Sequence, residues 1–321
     1  MRNILSRNSI ARIFALMLAA MFIATSATFT AAQSSSPQAA QDKSSPAQMM
    51  QMTGVTDKFV TVYGARIHYV EAGSGPVVIL VHGLGADVSS WAMTIGPLSK
   101  KYRVIALDQI GFGKSDKPML NYRVGTLVDF LDGFYKEMKI DRASLVGNSL
   151  GGWTVAAFAL AHPEKVDRLV MVDAAGFKIA EGFDPRIAVW LNPATLADTK
   201  QILSLIFYNK QIFVNDATAA MMLTRRVQTN DGYTIQRFID SIMRGEDVLD
   251  DRLSAIKQPT LIVWGREDGL TPIAMGERFK KEIPGSQLLV FDKCGHVPQI
   301  EKAADFNAAV MKFLGGETAS K

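Results

Sequence analysis

A single stretch, ASLVGNSLGGW at residues 143–153, holds the decisive pattern of this 321-residue chain. Its first four residues are small or apolar and predict a buried strand, whereas residues 150–161 are apolar on nearly every side and predict a buried helix. Ser149 therefore lies on a sharp turn between a strand and a helix. Such a turn holds a nucleophile in a strained conformation, and Gly147 and Gly151 avoid collisions with the neighbouring elements.

Strand patterns alternate with helix patterns on both sides of this turn. Apolar or β-branched runs, typical of strands buried on both faces, lie at 76–81, 103–107, 143–146, 169–172, 260–264 and 287–291. An alternating pair at 59–63 and 67–71 precedes them and predicts an antiparallel hairpin. Helical patterns at 122–138, 150–161 and 298–313, and another after Pro272, separate the runs. The order predicts an α/β fold with a mostly parallel, doubly wound, eight-stranded sheet.

One interval interrupts this alternation, between the strands at 169–172 and 260–264. It carries helical patterns with many large apolar side chains, and a loop of that length without secondary structure is unusual. We therefore predict a helical lid, or cap, inserted at residues 178–257. The core would then comprise residues 55–177 and 258–316, and residues 317–321 would form a tail.

The first 54 residues have the composition of an export signal followed by a tether. Arg2, Arg7 and Arg12 precede the apolar residues 13–23, and small residues follow up to Ala32. Residues 33–54 are rich in Ser, Gln, Ala and Pro, which predicts a disordered linker. We expect an exported protein, periplasmic or secreted. The alternative is an uncleaved helix at residues 13–32 that anchors the protein in a membrane.

Composition excludes several other classes of protein. The formal net charge is +4, three of the positive charges lie in residues 1–32, and no basic run predicts a nucleic-acid partner. Four histidines and one cysteine form no cluster with metal-ligand spacing, so we expect neither a metal nor a cofactor. Gly113-Lys114-Ser115 lacks the earlier glycine of a phosphate loop. The sequence leaves the oligomeric state open.

A serine hydroxyl is a weak nucleophile, so Ser149 requires a base. His296 follows the last predicted strand, and open α/β sheets carry their chemistry beyond such strand ends. His68 lies within a strand, and His162 ends a helix before a proline, so both suit structural roles. Cys294 is close to His296 in the sequence, but we expect a small buried residue there. His296 is the predicted base.

An acid must hold the imidazole in one tautomer. Asp268 follows the strand at 260–264 and precedes a helix, although it would also suit a role as the cap of that helix. Asp173, directly after the strand at 169–172, is a second candidate, and Glu267 is a third. The order Ser149, Asp268, His296 is the one expected when the nucleophile lies on a strand-to-helix turn.

Acyl transfer also requires two backbone donors for the developing oxyanion. Leu150, the residue after the nucleophile, would supply one of them. The loop His82-Gly83-Leu84-Gly85 follows the strand at 76–81, where the second donor belongs, and Leu84 is the predicted donor. We expect His82 and Gly83 to shape this loop.

Together these segments resemble the α/β-hydrolase superfamily over residues 55–316. The motifs that carry the resemblance are HGLG at 82–85, DQIGFGKSD at 108–116, GNSLGG at 147–152, GREDGLTP at 265–272 and CGHVPQIE at 294–301. The resemblance implies a serine hydrolase with a helical cap, in which Ser149 is the nucleophile, Asp268 the acid and His296 the base. The chain is most similar to the esterase and carbon–carbon bond hydrolase branches, since dehalogenases and epoxide hydrolases carry Asp at the nucleophile position.

Carbon–carbon hydrolases of this family often carry a large aromatic residue after the base, where this chain has Val297. That departure favours an esterase that cleaves a small or medium hydrophobic substrate through an acyl-enzyme. The first alternative is a carbon–carbon bond hydrolase of a vinylogous diketone, or an amidase, with the same triad. The second is a ligand-binding relative without turnover.

Overall fold

The computed structural model describes residues 55–179 and 184–318 of the chain. The predicted export signal, the tether and the end of the tail lie outside the described residues, so they stay predictions. The limits between core and cap, set at residues 178 and 257, also stay predictions. None of the helices in the described ranges combines the length and the apolar character that crossing a membrane requires.

Eight strands form one sheet. They are β1 (Thr56–Val62), β2 (Ala65–Ala72), β3 (Val77–Val81), β4 (Arg103–Leu107), β5 (Ala143–Asn148), β6 (Val166–Val172), β7 (Thr260–Gly265) and β8 (Gln287–Phe291). Their order across the sheet is β1-β2-β4-β3-β5-β6-β7-β8. Strand β2 is antiparallel to β1 and β4, and the pairs from β4 to β8 are parallel. The predicted mostly parallel, eight-stranded α/β sheet is confirmed.

Eleven α-helices lie in the described part of the chain. They are α1 (Ala92–Ser99), α2 (Val124–Glu137), α3 (Leu150–Ala161), α4 (Arg186–Leu191), α5 (Leu196–Ile206), α6 (Lys210–Phe213), α7 (Asp216–Thr229), α8 (Gly232–Met243), α9 (Ile273–Glu282), α10 (Pro298–Glu301) and α11 (Ala303–Leu314). The single helix predicted over residues 298–313 is two helices, because the backbone at Lys302 (φ −128°, ψ 34°) departs from the helical conformation.

Helices cover both faces of the sheet, which explains why the central strands are apolar throughout. In β3, Ile79 and Val81 join an apolar cluster that includes side chains of α2, α3 and α9. Val78 and Leu80 point the other way and pack with α1 and α11. The loops beyond the carboxyl ends of the parallel strands are thereby held on a rigid, doubly covered sheet.

The cap consists of α4 to α8, which lie between β6 and β7. It has a small apolar cluster of its own, in which the rings of Phe207 and Phe213 stack with their centroids 4.0 Å apart. It also packs on the core through Phe238 of α8, whose ring stacks on Phe112 at 5.7 Å. The cap therefore covers the sheet edge that carries the predicted site.

Candidate active site

Ser149 occupies the turn between β5 and α3 in a strained backbone conformation. Its φ of 57° and ψ of −119° lie in a region that residues with a side chain rarely adopt. A Cβ added to Gly147 would lie 2.2 Å from the Gly151 carbonyl oxygen, and one added to Gly151 would lie 2.2 Å from that of Val81. The two glycines therefore allow strand and helix to meet at the serine.

The Asp268 carboxylate and the His296 imidazole form a buried pair, with 2.6 Å between Oδ2 and Nδ1. The backbone N–H groups of Leu270 and Thr271 donate to Asp268 Oδ1 at 2.7 and 3.0 Å, and Thr271 Oγ1 donates to Oδ2 at 2.6 Å. A role as helix cap alone would explain the backbone bonds but not the pair with His296. The arrangement fixes a proton on Nδ1 and leaves Nε2 as the acceptor.

Asn148 connects the serine turn to the loop of His296. Its Nδ2 donates to the His296 carbonyl at 3.1 Å and to the Val172 carbonyl at 3.2 Å. Within the described residues, no hydrogen bond joins Ser149 Oγ to the His296 ring. Hydrogen bonds of this kind are often long in sites without substrate and shorten when it binds.

The two other candidate acids have different surroundings. Glu267 accepts a hydrogen bond from the Cys294 backbone N–H at 3.0 Å. Asp173 is fully buried behind the pair, and side-chain atoms of Asp173, Asp268 and His296 lie within 4.8 Å of one another. The Gly265 N–H donates to Asp173 Oδ1 at 2.8 Å, while Oδ2 has no hydrogen-bond partner.

Burial and the neighbouring charge of Asp268 raise the pKa of Asp173 well above its ordinary value. The structure thus places Asp268 as the partner of His296 and Asp173 as a buried carboxyl with a raised pKa behind both. The three side chains are close enough to ligate a metal ion, but this use would break the bond between Asp268 and His296.

His82 shapes the HGLG loop after β3. Its Nδ1 donates to the Gly83 carbonyl at 2.7 Å, its Nε2 accepts from the Gln109 N–H at 3.0 Å, and burial lowers its pKa. A Cβ added to Gly83 would lie 3.1 Å from Ser149 Cβ, so the loop runs directly against the serine turn. Leu84 follows at this point, and its role as an oxyanion donor with Leu150 stays a prediction.

The remaining histidines and the cysteine have structural surroundings. Cys294 is buried, and burial raises the pKa of its thiol, which disfavours the reactive thiolate. His68 is also buried, with Nδ1 at 2.7 Å from Asp108 Oδ2. His162 Nδ1 lies 3.9 Å from an Asp132 carboxylate oxygen on the outside of the core.

Sequence reasoning missed two arginines of α7 that lie against the HGLG loop. A Cβ added to Gly85 would lie 3.1 Å from Arg226 Nη1, and Arg226 exposes only 9% of its side chain. Arg226 pairs with Asp231 at 2.9 Å, and its Nε has no hydrogen-bond partner. Arg225 pairs with Asp87, just after the loop, and burial lowers its pKa to about 10. The sequence signal that could have revealed them is the pair of adjacent arginines within a largely apolar insertion.

The comparison with known proteins defines the family. Residues 76–303 match the model of the alpha/beta hydrolase fold. The chain is 34% identical over 265 residues to the 2-hydroxymuconate semialdehyde hydrolase of Pseudomonas sp. (strain CF600), which covers 78% of this chain and 91% of the relative. It is 34% identical over 276 residues to the 2-hydroxy-6-oxo-2,4-heptadienoate hydrolase of Pseudomonas putida, at 81% and 96% coverage.

Among solved structures, the meta-cleavage product hydrolase from Pseudomonas fluorescens IP01 is similar in both sequence and fold. It is 33% identical, superposes with a TM-score of 0.73, and the match covers 81% of this chain and 97% of that one. The chain therefore belongs to the α/β-hydrolase fold family, as its motifs predicted.

The expectation of an esterase is wrong, because these relatives are named as semialdehyde and oxo-dienoate hydrolases, of the carbon–carbon bond branch. Val297 misled the prediction for a structural reason. Its side chain packs against the apolar cluster of the cap, which contains the stacked rings of Phe207 and Phe213. Two aromatic residues of the cap therefore belong to the cluster that Val297 joins, although position 297 itself carries no aromatic residue.

Proposed function

We propose that this protein hydrolyses a carbon–carbon bond in a 2-hydroxy-6-oxo-dienoate, which is a vinylogous diketone with a carboxylate. The observation that carries the proposal is the 34% identity to two hydrolases with names of this kind, over most of both chains. The strained Ser149 turn and the buried Asp268–His296 pair support it, since they provide a nucleophile and an oriented base.

In the proposed reaction the substrate first becomes its keto tautomer, in which the 2-hydroxyl has lost its proton and C5, the carbon next to the ketone, has gained one. Ser149 Oγ then bonds to the ketone carbon while its proton passes to His296 Nε2. Asp268 stabilises the resulting imidazolium, and the amides of Leu84 and Leu150 stabilise the oxyanion. Collapse of this intermediate breaks the carbon–carbon bond. The electron pair passes into the conjugated dienolate, which takes up the proton from His296.

Water completes the reaction. His296 removes a proton from water as the water oxygen bonds to the acyl carbon, and the proton then returns to Ser149 Oγ as the ester bond breaks. The products are a carboxylic acid and a hydroxydienoate, so one water molecule is consumed in each cycle. The dienolate is a feasible leaving group only because its charge is delocalised onto the conjugated oxygen atoms.

Arg226 supports a substrate that carries a carboxylate. Its Nε is buried without a hydrogen-bond partner, and its Nη1 lies beside Gly85 in the loop assigned to the oxyanion. Burial raises the pKa of Asp231, the carboxyl that pairs with this guanidinium. A charge-assisted bond from Arg226 would hold the dienoate end of the substrate while its ketone faces Ser149.

The test compares substrates that carry the same acyl group but different leaving groups. 2-Hydroxy-6-oxohepta-2,4-dienoate, p-nitrophenyl acetate and acetanilide all transfer an acetyl group, but to carbon, oxygen and nitrogen leaving groups. We expect kcat/KM for the dienoate to exceed that for the ester by about 100-fold or more, because remote binding energy is available only to the dienoate.

Ser149→Ala should lower dienoate turnover by about 10³-fold or more. Ser204→Ala, which removes a cap hydroxyl bonded to the Gln201 carbonyl, is the matched control and should retain activity. Faster turnover of the ester or the anilide, or no turnover of any of the three compounds, would overturn the proposal.

A further inference from the structure

Residues 205–209, here called the clamp segment, comprise the end of α5 and the turn before α6. Their backbone runs against both loops that carry the buried pair. The Gly269 N–H donates to the Leu205 carbonyl at 3.1 Å, and the His296 N–H donates to the Ile206 carbonyl at 2.7 Å. The cap is thus hydrogen-bonded to the base itself and to the residue that follows the acid.

Glu301 of α10 joins the same two parts of the molecule. Its Oε2 accepts from the N–H groups of Gly295 at 2.7 Å and Tyr208 at 3.3 Å, and its Oε1 accepts from that of Asn209 at 3.2 Å. Burial raises the pKa of Glu301, so the desolvated carboxylate is costly for the fold. One side chain therefore connects the residue before His296 to two residues of the clamp segment.

Two glycines allow this close approach. A Cβ added to Gly295 would lie 2.2 Å from the Ile206 carbonyl oxygen, and one added to Gly269 would lie 3.0 Å from the Leu205 carbonyl oxygen. Gly295 precedes the base, and Gly269 follows the acid. Each loop of the pair thus has a residue without a side chain at the point where the cap backbone passes.

We propose that the clamp segment and Glu301 position His296 relative to Ser149 and couple that position to the placement of the cap. Glu301 is a positioning residue, because it acts through the backbone of Gly295 and His296 and touches no reacting atom. A cap that closes over substrate would move the base loop with it. The inference takes from the proposed function that Ser149 is the nucleophile and His296 the base. It does not depend on which bond of the substrate is cleaved.

The test removes single bonds of this connection. Glu301→Gln replaces one acceptor oxygen by a donor. Glu267→Gln is its matched control. Glu267 also accepts a hydrogen bond from a backbone N–H of the same loop, but in the hydrogen bonds described it does not contact the cap. Asn209→Pro deletes the N–H that donates to Oε1, at a residue whose φ of −81° is near the proline range. Asn209→Ala retains that N–H, so comparison of the two variants isolates it.

The first readout is the rate of Ser149 phosphonylation by a fluorophosphonate over a pH series, because this reaction needs the nucleophile and base but not the dienoate. We expect Glu301→Gln to lower the maximal rate by about 10- to 100-fold, as expected for a misplaced base, and Asn209→Pro to be slower than Asn209→Ala. For Glu301→Gln, kcat measured with an acetyl substrate should fall, whereas KM should change little. Glu267→Gln should behave as the wild type.

Rates equal to the wild type in folded Glu301→Gln and Asn209→Pro proteins would overturn the inference. The inference would also be overturned if the decrease in rate were fully explained by the fraction of unfolded protein, as measured by urea denaturation. If phosphonylation responds as expected but the dienoate is not hydrolysed, only the proposed function fails. If the wild-type serine is not labelled, both fail.

Discussion

Asp173 illustrates at the scale of one residue how surroundings decide the role of a carboxyl. It follows a parallel strand, as a catalytic acid would, and it lies within 4.8 Å of both members of the buried pair. Its own hydrogen bond goes to Gly265, however, and burial with the charge of Asp268 raises its pKa. Of two acids at neighbouring strand ends, the structure makes one the partner of His296 and the other a buried neighbour with a raised pKa.

Asp173→Asn should therefore be tolerated and Asp268→Asn should not. Asparagine keeps an acceptor for the Gly265 N–H and a donor towards Asp268, so we expect kcat to remain within about threefold of the wild type. Asp268→Asn should lower kcat by about 10⁴-fold, because the amide would favour the wrong tautomer of His296. Single-turnover kinetics with an acetyl substrate measures both. Losses of similar size would mean that the charge of Asp173 is used in catalysis.

At the scale of the element, helix α7 brings positive charge to the loop that lies beside the serine turn. Arg226 pairs with Asp231, just before α8, and donates to Asn192 Oδ1 at 2.5 Å, so two other parts of the cap hold its guanidinium. Such bracing suits a group that must bind a planar carboxylate in one orientation. The helix thus holds a buried guanidinium beside this loop, as the proposed binding of a carboxylate requires.

The double substitution Arg226→Gln with Asp231→Asn should raise KM for the dienoate by about 10- to 100-fold, because loss of one charge-assisted hydrogen bond weakens binding by about that factor. Replacing both partners avoids an unpaired buried carboxylate. KM for p-nitrophenyl acetate, which has no carboxylate, should not change. Arg244→Gln, which removes an exposed cap arginine paired with Glu246 at 2.8 Å, is the control. Equal effects on both substrates would contradict a role in recognising the carboxylate.

At the scale of the whole molecule, a buried histidine connects the edge of the sheet to the loops of the site. His68 of β2 bonds to Asp108 after β4 and to Asp57 of β1, and Asp108 Oδ1 accepts from the Val88 N–H at 2.7 Å, beyond the HGLG loop. Burial alone would lower the pKa of His68, but the hydrogen bonds and charges of Asp108 and Asp57 outweigh it and raise the pKa above its ordinary 6.5.

This shift predicts how stability depends on pH. Because the folded state holds the His68 proton more tightly than the unfolded state, its contribution is complete below pH 6.5 and is lost as pH rises through the folded pKa. The free energy of unfolding of the wild type minus that of His68→Asn should then fall by up to about 1.4 kcal/mol per pH unit.

Urea denaturation at a series of pH values measures this difference. His162→Asn, which changes a half-buried histidine whose Nδ1 lies 3.9 Å from an Asp132 carboxylate oxygen, is measured in parallel as the control. A His68→Asn difference that is constant, or that grows with pH, would contradict a charged His68 in the folded protein.

The sequence by itself determined the parts of this protein that depend on neighbouring residues. Runs of β-branched residues specify β3 to β7, and two glycines around Ser149 specify the strained turn, because backbone sterics and apolar periodicity act over a few residues. The same local signals placed Asp268 and His296 after strand ends, where a parallel sheet exposes its chemistry.

Only the tertiary structure decided which of these residues meet. The choice between Asp268, Asp173 and Glu267 depends on the order of β6, β7 and β8 in the sheet, which brings together side chains far apart in the chain. The arrangement of the cap likewise placed Arg226 at the HGLG loop and the clamp segment at His296. Burial and pairing set these contacts, and they depend on the packing of the whole molecule, so no local pattern encodes them.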